Sequence, residues 1–172
     1  MGRKYAGRGG NMTEQLMKGI GIVKYVLLIF LFLFVAGLVQ EEGISDADIG
    51  DVAKKVAEAA DMTDLSAADN RTVKRLYGID VNEYEGVALY VSDSNMKVEE
   101  ILIVKLQDVS QAEGVEDAVR SRVETQKNSF EGYGAEQCKL LDDSVVDVQG
   151  NYILFVVNGK AGKADEAFRK SL

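Results

Sequence analysis

Gln126, Phe130 and Tyr133 recur at the i, i+4, i+7 spacing of one helix face, and Lys127 and Gln137 lie close by in the chain. An amide and a phenol on such a stripe, with a cation and a second amide near it, are groups that recognise a partner through hydrogen bonds and charge. Gln126, Lys127, Tyr133 and Gln137 are therefore the candidate partner-binding residues. A plainer reading is favoured at this stage: Phe130 and Tyr133 pin the following loop onto a sheet, and Gln126 satisfies loop backbone, because aromatic residues at helical spacing usually belong to a core.

Other chemistry is narrowed by what the chain lacks. It has no histidine, so Ser-His-Asp and Cys-His nucleophiles and His-ligated zinc are excluded. Its one cysteine, Cys138, allows no internal disulfide and no cysteine-rich metal site. Beside Leu140 and Leu141 it reads as a buried or half-buried inert thiol, with a redox or cross-linking role as the alternative. The acid clusters Asp46-Asp48-Asp51, Asp80-Asn82-Glu83-Glu85 and Asp93-Asn95 lack the alternating ligands, central glycine and closing glutamate of a calcium loop. Gly159-Lys160 and Gly162-Lys163 lack the frame of a phosphate loop. No catalytic residue, metal or cofactor is expected. An enzyme remains open only as a pair of carboxylates converging at about 5–10 Å, one with a raised pKa.

The elements around these residues follow from periodicity. Ile49, Val52, Ala53, Val56, Ala57 and Ala60 share a helical face, with Ser45 as the expected cap. A second helix is expected over 67–77, capped by Ser66 with Asp69 and stopped by Gly78. Residues 86–92 and 98–106 are β-branched runs joined by the turn formers Asp93-Ser94-Asn95. A long helix over 110–130 follows, opened by Ser110 and Glu113, with Val115, Ala118, Val119, Val123 and Phe130 as its stripe. Residues 131–142 read as a loop. Residues 144–149 and 152–157 form a hairpin across Gly150-Asn151, where Gly150 supplies positive φ and Tyr152 packs across the strands. A short helix with Ala164, Ala167, Phe168 and Leu172 inward comes last.

The expected fold class is α+β: an N-terminal transmembrane helix, then α-α-β-β-α-β-β-α, with a four-stranded, mainly antiparallel sheet packed by helices. Ile101 to Val104 and Ile153 to Val156 are apolar on both pleat faces, which calls for helical cover on both sides, or for a partner on one.

Val26 to Val39 carries no charge, and extending back to Ile20 gives twenty residues broken only by Lys24, the length of a bilayer-spanning helix. Residues 1–25 hold five bases against one acid, whereas residues 40–172 hold fifteen bases against twenty-seven acids. Positive-inside then predicts a basic cytoplasmic tail (1–18), a single membrane pass or signal anchor (19–40) and an extracytoplasmic domain (41–172). A cleaved signal peptide ending near Val35-Ala36-Gly37 is the alternative. The acidic body argues against nucleic acid as a partner.

Leu76-Tyr77-Gly78-Ile79-Asp80, Gln126-Lys127-Asn128-Ser129-Phe130-Glu131-Gly132-Tyr133 and Val148-Gln149-Gly150-Asn151-Tyr152 together resemble the domain-of-unknown-function family 4358, small exported bacterial proteins usually seen as lipoproteins. The resemblance implies a membrane-tethered domain outside the cytoplasm with no established activity. Leu38 stands where a lipidated cysteine would be needed, which leaves the tether to residues 20–39. A bacterial source also gives the sequon Asn70-Arg71-Thr72 little weight. The expectation is an interaction or accessory module in the cell membrane, single-pass, whose partner is another envelope protein or a cell-wall component. A carboxylate enzyme on envelope polymer and a small-molecule sensor domain are the alternatives.

Overall fold

A computed structural model describes residues 43–61 and 65–172, together with isolated helical positions at 24, 25, 27–29 and 31. Contacts divide the chain into Met1–Glu41 and Glu42–Leu172. The expected basic tail and most of the apolar segment lie outside the described residues. Among those described, no helix is long and apolar enough to cross a membrane.

In chain order the domain runs α1 (Ile49–Ala59), β1 (Leu65–Ala67), α2 (Asn70–Tyr77), β2 (Gly86–Ser92), β3 (Glu100–Lys105), α3 (Ala112–Phe130), α4 (Ala135–Asp142), β4 (Val145–Gln149), β5 (Tyr152–Val157) and α5 (Ala161–Arg169). The strands form one sheet in the order β1-β2-β3-β5-β4, antiparallel throughout. β3 and β5 lie side by side at its centre, from Glu100 opposite Val157 to Lys105 opposite Tyr152.

Every residue of β3 and β5 is buried, as strands apolar on both faces require. Leu102, Val104, Ile153, Phe155 and Val157 point to one side, where Val73 and Tyr77 of α2, Val115 and Val119 of α3 and Leu141 of α4 meet them. Ile101, Ile103, Tyr152, Leu154 and Val156 point to the other, against Val52, Ala53 and Val56 of α1 and Ala164 and Phe168 of α5. The sheet is thus roofed by helices of its own chain on both faces, and the α+β class holds.

Five local expectations need correction. The sheet has five strands, because Leu65–Ala67 pairs along the outer edge of β2, Leu65 opposite Ser92. Asp69, not Ser66, caps α2, accepting from the Thr72 N–H at 2.9 Å, and this frees Ser66 and Ala67 to extend. Asp48 caps α1 in place of Ser45, and Asp108 with Gln111 forms the capping box at a 3-10 turn ahead of α3, in place of Ser110 and Glu113. Residues 135–142 are helical: the Gly134 N–H returns to the Phe130 carbonyl at 2.8 Å, closing α3, and α4 starts at once. Gly78 at φ 72° and Gly150 at φ 56° take the left-handed geometry expected of them.

Candidate functional site: a polar groove above a buried ion pair

Glu100 begins β3 on the same pleat face as Leu102 and Val104, so its carboxylate is carried into the apolar layer beneath α2 and α3 and is 1% exposed. Arg122 of α3 meets it. Nε lies 3.2 and 3.3 Å from the two carboxylate oxygens, and Nη2 lies 2.9 Å from Oε2. The guanidinium also sits 5.9 Å from the centroid of the Tyr77 ring. Tyr77 in turn meets Phe155 edge-on at 6.4 Å, and its buried hydroxyl has no hydrogen-bond partner among the described residues. Burial holds the Glu100 carboxyl above the usual carboxylate range despite the pull of Arg122. Burial, and then the charge of Glu100, holds the Tyr77 phenol well above its ordinary value.

Over this pair lies a groove of about 420 Å³. α2 contributes Thr72, Arg75 and Leu76 to one wall. The turn after β2 contributes Ser92, Ser94, Asn95 and Lys97, and α3 contributes Gln126 one turn beyond Arg122. Arg75 is exposed and has no ion-pair partner among the described residues, whereas Lys97 lies 3.9 Å from Glu99.

The four candidate residues lie at separate places around α3 and α4. Gln126 lines the groove. Gln137 accepts the Val98 N–H at 3.1 Å, tying α4 to the segment that leads into β3. Lys127 bonds Asp142 at 2.5 Å and borders a second depression of about 370 Å³ between α3 and Val146. Phe130 is buried in the core, but Tyr133 is 67% exposed, its hydroxyl donating to the Ser129 carbonyl at 2.6 Å. Cys138 is half-buried.

Glu100 and Arg122 were not singled out by sequence reasoning. The parity of Glu100 within Glu100-Ile101-Leu102-Ile103-Val104 was a signal for a buried acid. A second acidic feature was also missed. Asp147 and Asp165 come together below the other sheet face, both within 3.4 Å of the same Arg169 Nε. Burial, and then the neighbouring Asp147, raises the Asp165 carboxyl. Among the described residues no cluster of three metal-ligating side chains occurs.

The family described as Domain of unknown function (DUF4358) matches residues 58–158, more than half of the chain. The chain belongs to this family. No curated protein and no solved structure matches it. The part matched to DUF4358 includes every wall of the groove and the Glu100–Arg122 pair, and stops short of α5.

Proposed function

We propose that this chain is a membrane-tethered binding module outside the cytoplasm, which holds a partner or ligand in the groove between α2, α3 and the 92–99 turn without transforming it. The groove itself carries the reading. Its Glu100 and Arg122 are locked onto each other, the Glu99 carboxylate accepts from Asn158, and its remaining polar groups are hydroxyls, amides and cations suited to recognition. The tether rests on the uncharged run 26–39 and its flanking charges, and on Tyr25, Leu27, Leu28, Ile29 and Leu31, which are helical and highly exposed. An envelope protein or wall component is the partner that such a location supplies.

A carboxylate enzyme is the second reading, favoured by the Asp147–Asp165 pair and the raised Asp165. A substrate bond would have to lie between the two carboxyls, about 5 Å or more apart. Both carboxyls are instead drawn onto the one Arg169 Nε, at 3.0 and 3.4 Å, so the binding reading is preferred.

Two measurements test the proposal. Protease added to intact protoplasts should digest residues 43–172 while washed membranes retain the full chain; protection of that portion, or release into plain buffer, overturns the placement. Crosslinking and affinity capture from intact cells should lose its partner in a Gln126→Ala, Arg75→Glu double variant that melts like wild type. Capture lost instead in a Lys127→Glu, Tyr133→Ala double variant would move the surface to the end of α3.

A further inference from the structure

We infer that β4 is the seam of a symmetric dimer, in which a second copy of this chain lays its own β4 antiparallel to the first and continues the sheet. The inference concerns a different surface from the groove and does not depend on what the groove holds. β4 forms one edge of the sheet, with β5 on its inner side. The two-residue turn at Gly150-Asn151 makes Gln149 and Tyr152 a hydrogen-bonded pair. Alternation then turns the N–H and C=O groups of Asp147 and Val145 toward β5, and those of Val146 and Val148 away from it. Among the described residues no backbone group meets these outward groups.

A row of free backbone groups is a template for another strand. The opposite edge offers less, since β1 has three residues against five in β4. β4 also lacks the usual guards of an edge, lysine and proline. Its one charge, Asp147, is turned to the face of α5 and held by Arg169 at 3.0 Å.

α3 decides which strand fits. Val146 is 43% exposed and shares a depression of about 370 Å³ with Val119 and Val123 of α3. The charged residues of that α3 wall alternate in sign along the helix: Glu116, Arg120, Glu124 and Lys127. A two-fold axis normal to the sheet keeps α3 and its copy on one face and runs them in opposite directions. Glu116 then faces Lys127 of the second copy, and Arg120 faces Glu124 of the second copy, so each charge meets its opposite. A patch that complements itself on rotation selects a second copy over an unrelated strand. Arg120 and Lys127 also reach Asp117 and Asp142 within the chain, in exposed pairs that contribute little and leave both cations able to reach across.

Asp147 sets the register. An axis through Val146 joins its outward N–H and C=O to those of its copy and places Asp147 opposite Val145 of the second copy. An axis through Asp147 would set two carboxylates face to face, which is unfavourable.

The test takes the full chain in detergent micelles. Carbodiimide, which joins an amine only to a carboxylate it touches, should link Lys127 of one copy to Glu116 of another, read by mass spectrometry on mixed isotope-labelled and unlabelled protein. Within one copy the two lie on the same helix about 16 Å apart, too far for that bond. Val146→Pro deletes an outward N–H and keeps the bonds to β5, so it should weaken self-association by about tenfold or more in sedimentation, with the melt preserved. Glu124→Lys, on the exposed wall, should weaken it as well, and adding Arg120→Glu should restore it by exchanging the facing charges. A chain that stays monomeric, even one whose β4 takes up a different protein, overturns the inference. So does a dimer that ignores these variants and gives no Lys127–Glu116 link, because residues 20–39 would then be holding it. Partner capture by the groove variants is read separately and does not bear on this outcome.

Discussion

The Ser45 N–H donates to Asn151 Oδ1 at 2.8 Å, and Asn151 Nδ2 donates back to the Ser45 carbonyl at 3.2 Å, across 106 positions of chain. Asn151 occupies the turn between β4 and β5, and both residues are buried. The side chain therefore acts as a clasp that holds the segment before α1 against the hairpin. In Asn151→Ala both Ser45 backbone groups lose their partner, a cost of about 1–3 kcal/mol. Hydrogen exchange at the Ser45 amide should accelerate while the centre of the sheet stays protected; unchanged exchange there would contradict the clasp.

Removing one member of the buried pair should cost far more than removing both. Arg122→Met leaves Glu100 unpaired beneath α3 and should lower stability by about 3–5 kcal/mol. Adding Glu100→Leu should restore most of that loss, since an apolar pair of similar volume meets no desolvation cost. Urea unfolding of the full chain measures both, and a double variant no more stable than Arg122→Met would refute the account.

Tyr77→Phe removes a buried hydroxyl that has no hydrogen-bond partner among the described residues but keeps the ring against Phe155. Stability should hold or rise by about 1 kcal/mol. A clear drop in melting temperature would mean that the hydroxyl is satisfied after all.

Asp165 gives a pH signature. Its native carboxyl is raised above an ordinary value near 3.8, so over the interval between the two the folded chain holds more protons than the unfolded one. Its contribution is most favourable below the ordinary value and declines as pH rises through the raised one. Asp165→Asn removes that decline and leaves Arg169 paired with Asp147 at 3.0 Å. Melting temperatures from about pH 3 to about pH 8 should show the variant gaining on wild type as pH increases. A gap that is constant or shrinks with pH would be the wrong outcome.

Two glycines should respond in opposite directions. A Cβ at Gly134 would meet the Phe130 side chain at 2.6 Å, so Gly134→Ala should destabilise the joint between α3 and α4 by about 1–3 kcal/mol. A Cβ at Gly114 in the first turn of α3 meets nothing within 4 Å, and Gly114→Ala should stabilise by about 0.4–1 kcal/mol. Thermal melts of the two single variants compare them directly; equal shifts would show that packing at Gly134 is not the cause.

The layered fold was legible because its strongest signals are local. Ile101–Val104 and Ile153–Val156 are apolar on both pleat faces, and Gly150-Asn151 and Gly78 mark turns that need positive φ. Leu65–Ala67 was missed because three residues carry no readable alternation. α4 was missed because eight residues bracketed by Gly132, Gly134 and Asp143 look like loop chemistry. Ser45, Ser66 and Ser110 are sound caps in isolation; an aspartate three residues later or two residues earlier caps instead and moves the start of the helical turn. For the groove, only Gln126 came from the sequence. Arg122 sits on α3 beside Ser121 and Val123 like any solvated base, and only tertiary packing sets it above Glu100, 22 positions away.

Ser45 also donates its hydroxyl to the carbonyl of Leu172 at 3.2 Å, so residues 127 positions apart in the chain are in contact. The backbone from 45 to 172 nearly closes into a ring. A brief glycine-serine bridge across that contact, with a cut at the exposed Gly159-Lys160 turn, would yield a circular permutant that keeps every strand pairing.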